Sequence, residues 1–488
     1  MSKKPFYITT TLPYVNAEPH IGHALEFIRA DIIARSKRLA GYDVFFNTGT
    51  DEHGIKVYQK AQQLHLDTQA YVDQAASKFK EILPLLGIHP DANFIRTTDP
   101  HHVMAASEFW KIVKKNGHIY KKNYSVKYCI GCELEKTDSE LVDGRCPLHP
   151  LQDLEIIQEE NYFFRFSLFT KQLLDLYEKN PTFVVPSTRL NEIRSFVERG
   201  LEDFSISRLA TKMPWGIAVP DDADHVMYVW FDALVDYISA IGWPDDVVQG
   251  KKAPDSFKKW WLETGGVVQY CGKDNLRQQS AMWQAMLMAA NLPPSRQIII
   301  NGFVTGEGGL KMSKSLGNTV DPLEVVKEYG TDALRYYVAR ELSPFEDSPF
   351  SIEKFKEAYN ANLANGLGNL ASRTLKMIAD NGVTIDWKSV DDIQNRTYFN
   401  SLEAFNIKVA CDEIWKLIQQ TDKRIQDGQP FKVVKTDPEK GKEMIKILGQ
   451  ELYVIARMLE PILPSTAEII KTLIQEGKTP DQPLFMRK

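Results

Sequence analysis

The sequence predicts an α/β protein in which a parallel sheet is split by an insertion and followed by an all-helical tail. Three observations predict it. Strand-like and helix-like stretches alternate up to about residue 116 and again after about residue 223, the grammar of a parallel sheet covered by helices. The stretch between is shorter in its segments, more charged, and holds three of the five cysteines. From Asn360 onward helical periodicity continues with no strand-like run.

The first element is "FYITTTL", Phe6 to Leu12, whose β-branched and aromatic residues read as a strand. Pro13, Asn16 and Pro19 break it, and Ile21, Leu25, Ile28 and Ile32 then recur at helical spacing as an amphipathic pattern. His20, Gly22 and His23 therefore sit at the first turn of a helix that follows a strand. Backbone N–H groups lack partners there and the helix dipole favours anions. Two imidazoles three residues apart share a helix face, and Gly22 lets a flat or anionic group come close. "VFFNTGTDEHG" and "QAYVDQAASKFKEILPLLG" continue the strand–helix alternation.

The insertion contains "CIGCELEKTDSELVDGRCPLH". Cys129 and Cys132 form one short bite, Cys146 and His149 another, the spacing of four soft ligands for tetrahedral zinc. Four protein ligands leave no position for water, so the zinc is expected to be structural. Cys271 and Cys411 are expected to be buried thiols. Alternation resumes with "HVMYVWFDALVDYI", "GVVQYCGKDNLRQQSAMWQAMLMAA" and "RQIIINGFVTG". "TGEGGLKMSKSLGN" follows, a basic loop around Lys311 and Lys314. Lysine is a compact charge that can follow a phosphate whose position changes during a reaction.

At 488 residues the chain exceeds one ordinary core, and two to four domains are expected. A content of 43% hydrophobic and 25% charged residues is that of a soluble globular protein, and no apolar run could span a bilayer. "MSKKPFYITT" enters a strand without a secretory segment, so a cytoplasmic protein is expected. The net charge of −5 is no global nucleic-acid signature. The tail from Asn360 is nearly neutral, which permits local contact with a polyanion.

"HIGH" followed by "KMSKS" resembles the class I aminoacyl-tRNA synthetases, and the motifs between resemble the methionyl-tRNA synthetases over essentially the whole chain. The resemblance implies a Rossmann-type catalytic domain in two halves, residues 1–115 and 224–304. It places a connective insertion at 116–223 with a zinc knuckle at 129–149, the KMSKS loop and stem region at 305–359, and an α-helical anticodon-binding domain at 360–488. It implies that L-methionine and ATP, with Mg2+, form methionyl-adenylate and pyrophosphate, and that the aminoacyl group passes to the terminal adenosine of tRNA(Met), initiator included. No membrane is involved, and a monomer is expected.

The same resemblance assigns catalytic roles to His20, His23, Lys311 and Lys314. These four, with Gly22, Gly272, Lys273, Asp274, Asn301 and Val304, would bind ATP. Leu12, Tyr14, Asp51, Trp230, Ala233, Tyr237 and Gln279 would form the methionine pocket, with Asp51 pairing the substrate ammonium. Asn369 and Arg373, one turn apart, and Phe431 would read the anticodon. Three positions depart from the family pattern. Gln279 stands where a histidine is common, Asn275 where an aliphatic residue is common, and Phe431 where a tryptophan is common.

The synthetases for isoleucine, valine and leucine carry a large editing insertion, whereas the stretch here is largely taken up by the knuckle. The cysteine enzyme uses a core zinc, and the first strand here has no cysteine. A nucleotidyltransferase sharing only H-x-G-H would lack the helical tail. A non-catalytic tRNA-binding paralogue would not need His20, His23, Lys311 and Lys314.

Overall fold

The computed structural model describes residues 3–132, 134–136, 140–309 and 320–488. Its centre is a six-stranded parallel sheet. In chain order the strands are β1 (Pro5–Thr10), β2 (Asp43–Thr50) and β3 (Asn93–Arg96). An antiparallel sheet follows, built from β4 (Ile119–Cys129), β5 (Leu134–Lys136), β6 (Glu155–Phe164) and, after β7 (Val184–Val185), β8 (Phe204–Ser205). A three-stranded sheet comprises β9 (Ser207–Leu209), β10 (Ala218–Val219) and β11 (Asp222–Met227), and a ribbon pairs β12 (Val247–Val248) with β13 (Lys251–Lys252). The parallel sheet resumes with β14 (Val268–Gly272) and β15 (Gln297–Asn301), and β16 (Val304–Thr305) pairs with β17 (Ser348–Pro349).

The parallel order is β3-β2-β1-β14-β15-β7. The chain winds outward from β1 to one side, then returns to build the other. At such a reversal the crevice beyond the carboxyl ends of the two central strands is left open for a ligand. Here those strands are β1 and β14.

Side chains alternate between two hydrophobic cores, as the period of two demands. Phe6, Ile8 and Ile299 join the core shared with the first helix and the helical tail. Tyr7, Ile298 and Ile300 join the core shared with the inserted segments. The sheet is covered on both faces, which is why the middle of β15 is a run of three isoleucines, Ile298 to Ile300.

Two sequence expectations need correction. "HVMYVW" was expected to resume the parallel sheet, but Asp222–Met227 pairs antiparallel with β9 and β10 and leads directly into the Val229–Ala233 helix. The strand that does join the sheet is Val184–Val185, which pairs with Ile298 and Ile299 at the edge. Two residues are too few for a periodic signal. The first helix, α1 (Ile21–Leu39), reads as amphipathic but buries Arg29, Asp31, Ser36 and Lys37 as well as its apolar face. Segments far along the chain cover that second face. Arg335 is fully buried, ion-pairs with Asp31 at 2.8 Å, and donates to the carbonyls of Pro461 and Ile462 at 2.9 and 2.8 Å. A buried charge is tolerable only when paired and hydrogen-bonded, so this arginine clamps the tail to α1.

The tail is helical among the described residues. Pro430, Pro438 and Pro464 each occupy the first turn of a helix; Asp437 caps the Pro438 helix through its side chain, and Asn395 and Asn406 cap two others.

Candidate active site at the carboxyl ends of the sheet

His20 ends the loop after β1 and caps α1 in an extended conformation. Its Nδ1 accepts the Gly22 backbone N–H at 3.1 Å, and His23 Nδ1 accepts the His20 backbone N–H at 3.3 Å. This is a reciprocal capping box with imidazoles in place of hydroxyl and carboxylate. The rings stack at 3.8 Å, and His23 meets the Phe79 ring edge-on. With Nδ1 accepting, each neutral ring carries its proton on Nε2 as a donor. Burial and the neighbouring His20 push the His23 pKa well below its usual value. Two N–H donors at the positive end of a helix would suit an anion without a cationic imidazole. A Cβ on Gly22 would lie 2.9 Å from His20 Cε1, so the glycine first makes room for the folded-over histidine ring.

The carboxyl ends of β14 and β15 form the opposite wall. Lys273 reaches Asp347 at 2.6 Å, and Asp347 also accepts the Phe303 N–H at 3.0 Å. Asp274 and Asn275 follow in the same turn, with the Asn275 amide 3.5 Å from Asp274. Gly272 ends β14, and Val304 opens β16 opposite Ser348. Asn301 Oδ1 accepts from Arg29 at 3.1 Å, while its Nδ2 is buried without a partner among the described residues. Arg29 is buried on α1 and also donates to the carbonyls of Ser343 at 2.7 Å and Pro344 at 3.1 Å. It therefore locks the histidine helix to the end of β15 and to the Ser343–Pro344 segment that precedes β17. Lys311 and Lys314 lie outside the described residues.

Glu26, one turn beyond His23, was missed in the sequence. Its carboxylate accepts the Thr11 N–H at 2.7 Å, and burial pushes its pKa up to about 8 against that hydrogen bond. The unfolded chain releases this proton near the ordinary value of 4.5, so between there and about 8 the folded state holds a proton the unfolded state has lost. Stability contributed by this group is present below that window and falls as pH rises through it. Glu26→Gln should therefore shrink the loss of Tm between about pH 5 and pH 8.5. Thermal scans of parent and variant at both pH values check this; equal losses would refute it.

The residues expected around methionine fall into separate local groups. Tyr14 and Asp51 form a parallel bridge, and the Asp51 N–H donates to Pro13 O at 2.9 Å. Leu12 clusters with Ile95 and Ala240. Trp230 packs with Tyr14 against Tyr128, Tyr228 and Val229, and its Nε1 is buried without a partner among the described residues. Trp230, Ala233 and Tyr237 follow at helical spacing on Val229–Ala233 and Asp236–Ser239. Gln279 is 1% exposed and donates through Nε2 to the Tyr237 hydroxyl at 2.7 Å.

Behind this wall lies a chain of buried groups that sequence reasoning also missed. His53 Nδ1 and His102 Nε2 meet the two oxygens of Asp232 at 2.6 and 2.9 Å, and His102 Nδ1 meets Ser239 Oγ at 2.9 Å. Burial opposes the charge on Asp232, yet the histidines hold its carboxyl down at about 2. The sequence shows no obvious Ser-His-Asp set, but the structure contains one. Ser239 is 1% exposed, His102 and Asp232 are sealed from solvent, and the hydroxyl meets no substrate space. The set pins the Asp51 segment to the Trp230 helix. Glu52 does the same for β3, accepting from Arg96 Nε and Nη2 at 2.7 and 2.8 Å. The run Asp51-Glu52-His53, three polar residues at a strand end, was the available signal.

Cys129, Cys132, Cys146 and His149 bring their four ligand atoms within 4.8 Å of one another, so the knuckle could hold a metal. A Cβ on Gly131 would lie 2.4 Å from the His149 ring, so only glycine lets the imidazole fold in. The knuckle is tied to the site. Lys56 donates to Gly131 O at 2.9 Å, Glu140 pairs with Arg277 at 2.9 Å, and Arg208 lies over the rings of Tyr128 and Tyr228. Cys271 and Cys411 are buried, as expected.

Asn369 is exposed, and Arg373 on the same helix pairs with Asp422 at 2.6 Å. Phe431 is 42% exposed at the start of the Pro430–Thr436 helix. The Asn369–Asn381 and Pro430–Thr436 helices both pack on Pro438–Leu459, which is what relates these residues.

A doubly wound parallel sheet, a His-x-Gly-His cap at its reversal point and a helical tail define the class I aminoacyl-tRNA synthetases. The family described as tRNA synthetases class I (M) matches residues 6–154 and 151–375. The methionine--tRNA ligase of Thermosynechococcus vestitus is 40% identical over 95% of this chain and 89% of its own length. That of Brucella suis is 38% identical over 96% and 91%. The Mycobacterium tuberculosis methionyl-tRNA synthetase in complex with methionyl-adenylate superposes with a TM-score of 0.88 at 37% identity, over 98% of this chain and 95% of that one. The chain belongs to the methionyl-tRNA synthetase family.

Proposed function

We propose that the chain joins L-methionine to ATP, releasing pyrophosphate, and then transfers the methionyl group from the adenylate to the 3′-terminal adenosine of tRNA(Met), the initiator included, releasing AMP. The observation that carries this reading is the paired histidine cap in the crevice between β1 and β14. The methionine carboxylate attacks the α-phosphorus in line. It is already ionised, so no general base is needed, and catalysis is positioning plus stabilisation of phosphate charge. His20 and His23 donate Nε2–H groups to the α-phosphate, Lys314 holds the departing pyrophosphate, and Lys311 supports it. ATP enters as its magnesium complex. Gly22, Gly272, Lys273, Asp274, Asn301 and Val304 border the nucleotide. Asp51 pairs with the methionine ammonium, while Leu12, Tyr14, Trp230, Ala233 and Tyr237 wrap its side chain, with Gln279 behind Tyr237. Sulfur–aromatic contacts favour this lining.

The activity implies a cytoplasmic protein. We assign catalysis to residues 1–115 and 224–304, the insertion to 116–223, the loop and stem to 305–359 and anticodon binding to 360–488, in a monomer. Amino-acid-dependent ATP–pyrophosphate exchange across the twenty amino acids tests the reading: methionine should support it far above the others, and exchange with none of them would overturn it.

The Cys3His cluster suits zinc, which would cross-link the two turns of the knuckle. Freshly purified protein should carry one zinc per chain, and Cys146→Ser should lose it. The insertion should then become protease-sensitive while adenylate formation persists. Metal analysis that finds none in protein never exposed to chelators would refute the assignment.

A further inference from the structure

We infer that Asp232, clasped between His53 and His102, is a positioning residue that holds Asp51 in register for the ammonium of the amino acid. This rests on the pairing of Asp51 with that ammonium proposed above. His53 lies two residues beyond Asp51, and its Nδ1 meets one Asp232 oxygen at 2.6 Å. His102, on the Pro100–Lys115 helix, brings Nε2 to the other oxygen at 2.9 Å. All three side chains are buried. The directions of these bonds are fixed. The Asp232 carboxyl is held ionised, and an ionised carboxylate only accepts, so both imidazoles donate. With Nε2 donating, Nδ1 of a neutral His102 accepts from the Ser239 hydroxyl at 2.9 Å, which fixes the ring.

Each residue of the run from Asp51 to Gly54 is anchored to a different part of the fold. Asp51 is bound through its backbone, its N–H to Pro13 O at 2.9 Å and its carbonyl to the Val15 N–H at 3.1 Å. The Glu52 N–H donates to Thr97 Oγ1 at 2.9 Å, and its carbonyl accepts from Trp215 Nε1 at 2.7 Å. Gly54 has a φ of 114°, and a Cβ there would lie 2.6 Å from the Tyr14 hydroxyl, so this turn requires glycine. His53 supplies the tie to the Val229–Ala233 helix, where Asp232 stands two residues from Trp230. Tyr14 makes the same connection by another route, bridging Asp51 and packing with Trp230.

Asp232 therefore sits where the segment that would hold the ammonium joins the helix that would hold the side chain. An apolar cluster of equal volume could bind these segments as firmly, but only hydrogen bonds decide which atom faces which. A carboxylate already in place stabilises an ammonium more than one that must first be brought there.

The test compares equilibrium binding of L-methionine with that of desamino-methionine, which keeps the thioether and the carboxylate and lacks the ammonium. Asp232→Asn keeps the shape but turns an amide N–H towards one imidazole N–H, so one of the two bonds is lost. Methionine affinity should fall about 5- to 30-fold, while affinity for the analogue stays nearly unchanged. The fall is smaller than the full worth of a charged hydrogen bond because Asp51 keeps its backbone bonds. In Asp51→Asn the charge to be placed is gone, so adding Asp232→Asn should cost methionine little more; a further loss of the same size would overturn the inference. Equal losses for both ligands, as from a merely structural role, or no loss for either, would also overturn it. Should Asp232→Asn fail to accumulate, two variants at His53 decide. His53→Asn offers an amide N–H where Nδ1 stands and should keep most of the preference for methionine that His53→Ala loses; equal preferences in the two would overturn the inference. A parent that binds both ligands alike would instead remove the pairing of Asp51 with the ammonium.

Discussion

Lys314→Ala is expected to slow methionyl-adenylate formation by about 30-fold to several hundred-fold while leaving methionine affinity nearly unchanged. The estimate rests on the charge that moves. As the α-phosphorus is attacked, negative charge gathers on the departing pyrophosphate, and a contact that strengthens only there lowers the barrier without tightening ground-state binding. A charge-assisted contact in a closed site is worth roughly 2 to 4 kcal/mol, which sets the range. The cap on α1 cannot supply that contact. Its imidazoles are oriented by their own backbone bonds, and His23 is kept neutral. Lysine from the 305–318 stretch, a compact point charge, complements that pair of N–H donors. Single-turnover adenylate formation, compared with methionine binding by fluorescence, separates the two effects. Unchanged activation kinetics, or equal losses in binding and rate, would remove Lys314 from this role.

The parts of the site legible in the sequence are those whose partners lie close along the chain. His20 and His23 are one turn apart, and the four knuckle ligands fall within a single short stretch. The alternation around β1, β2 and α1 could be read for the same reason. What could not be read is what joins distant segments. His53 meets Asp232 across 179 residues, Arg29 meets Asn301 across 272, and Arg335 meets Ile462 across 127. Arg29 and Arg335 interrupt otherwise apolar helix faces and His53 follows a strand end, so local patterning marks the polar residue but not its partner. Gln279 shows the limit most sharply. The sequence marks it as a departure from its family, but only the structure reveals that it is buried between Gln269 and the Tyr237 hydroxyl.

Phe431→Ala is expected to cut tRNA charging roughly 5- to 150-fold, the loss of one base stack of about 1 to 3 kcal/mol. The alternative is that the ring packs between helices. Its 42% exposure argues against that, since an aromatic committed to the core would be covered. Gln429 turns into the left-handed region just before the Pro430–Thr436 helix, and the ring follows at that corner. Of four basic residues near it in the chain, Lys423 pairs with Asp427 and Arg424 with Glu451, whereas Lys432 and Lys435 have no ion pair among the described residues. Unpaired anticodon bases offer faces for stacking and edges for hydrogen bonds. Phe431 suits the faces, whereas Asn369 and Arg373 suit the edges, Arg373 being oriented beforehand by Asp422. Pyrophosphate exchange should be nearly untouched by Phe431→Ala, because activation takes place at the carboxyl ends of the parallel sheet. Phe431→Trp should charge at least as well as the parent, since an indole offers more stacking area. If Phe431→Ala left charging intact, or slowed exchange and charging alike, the ring would not be an anticodon contact.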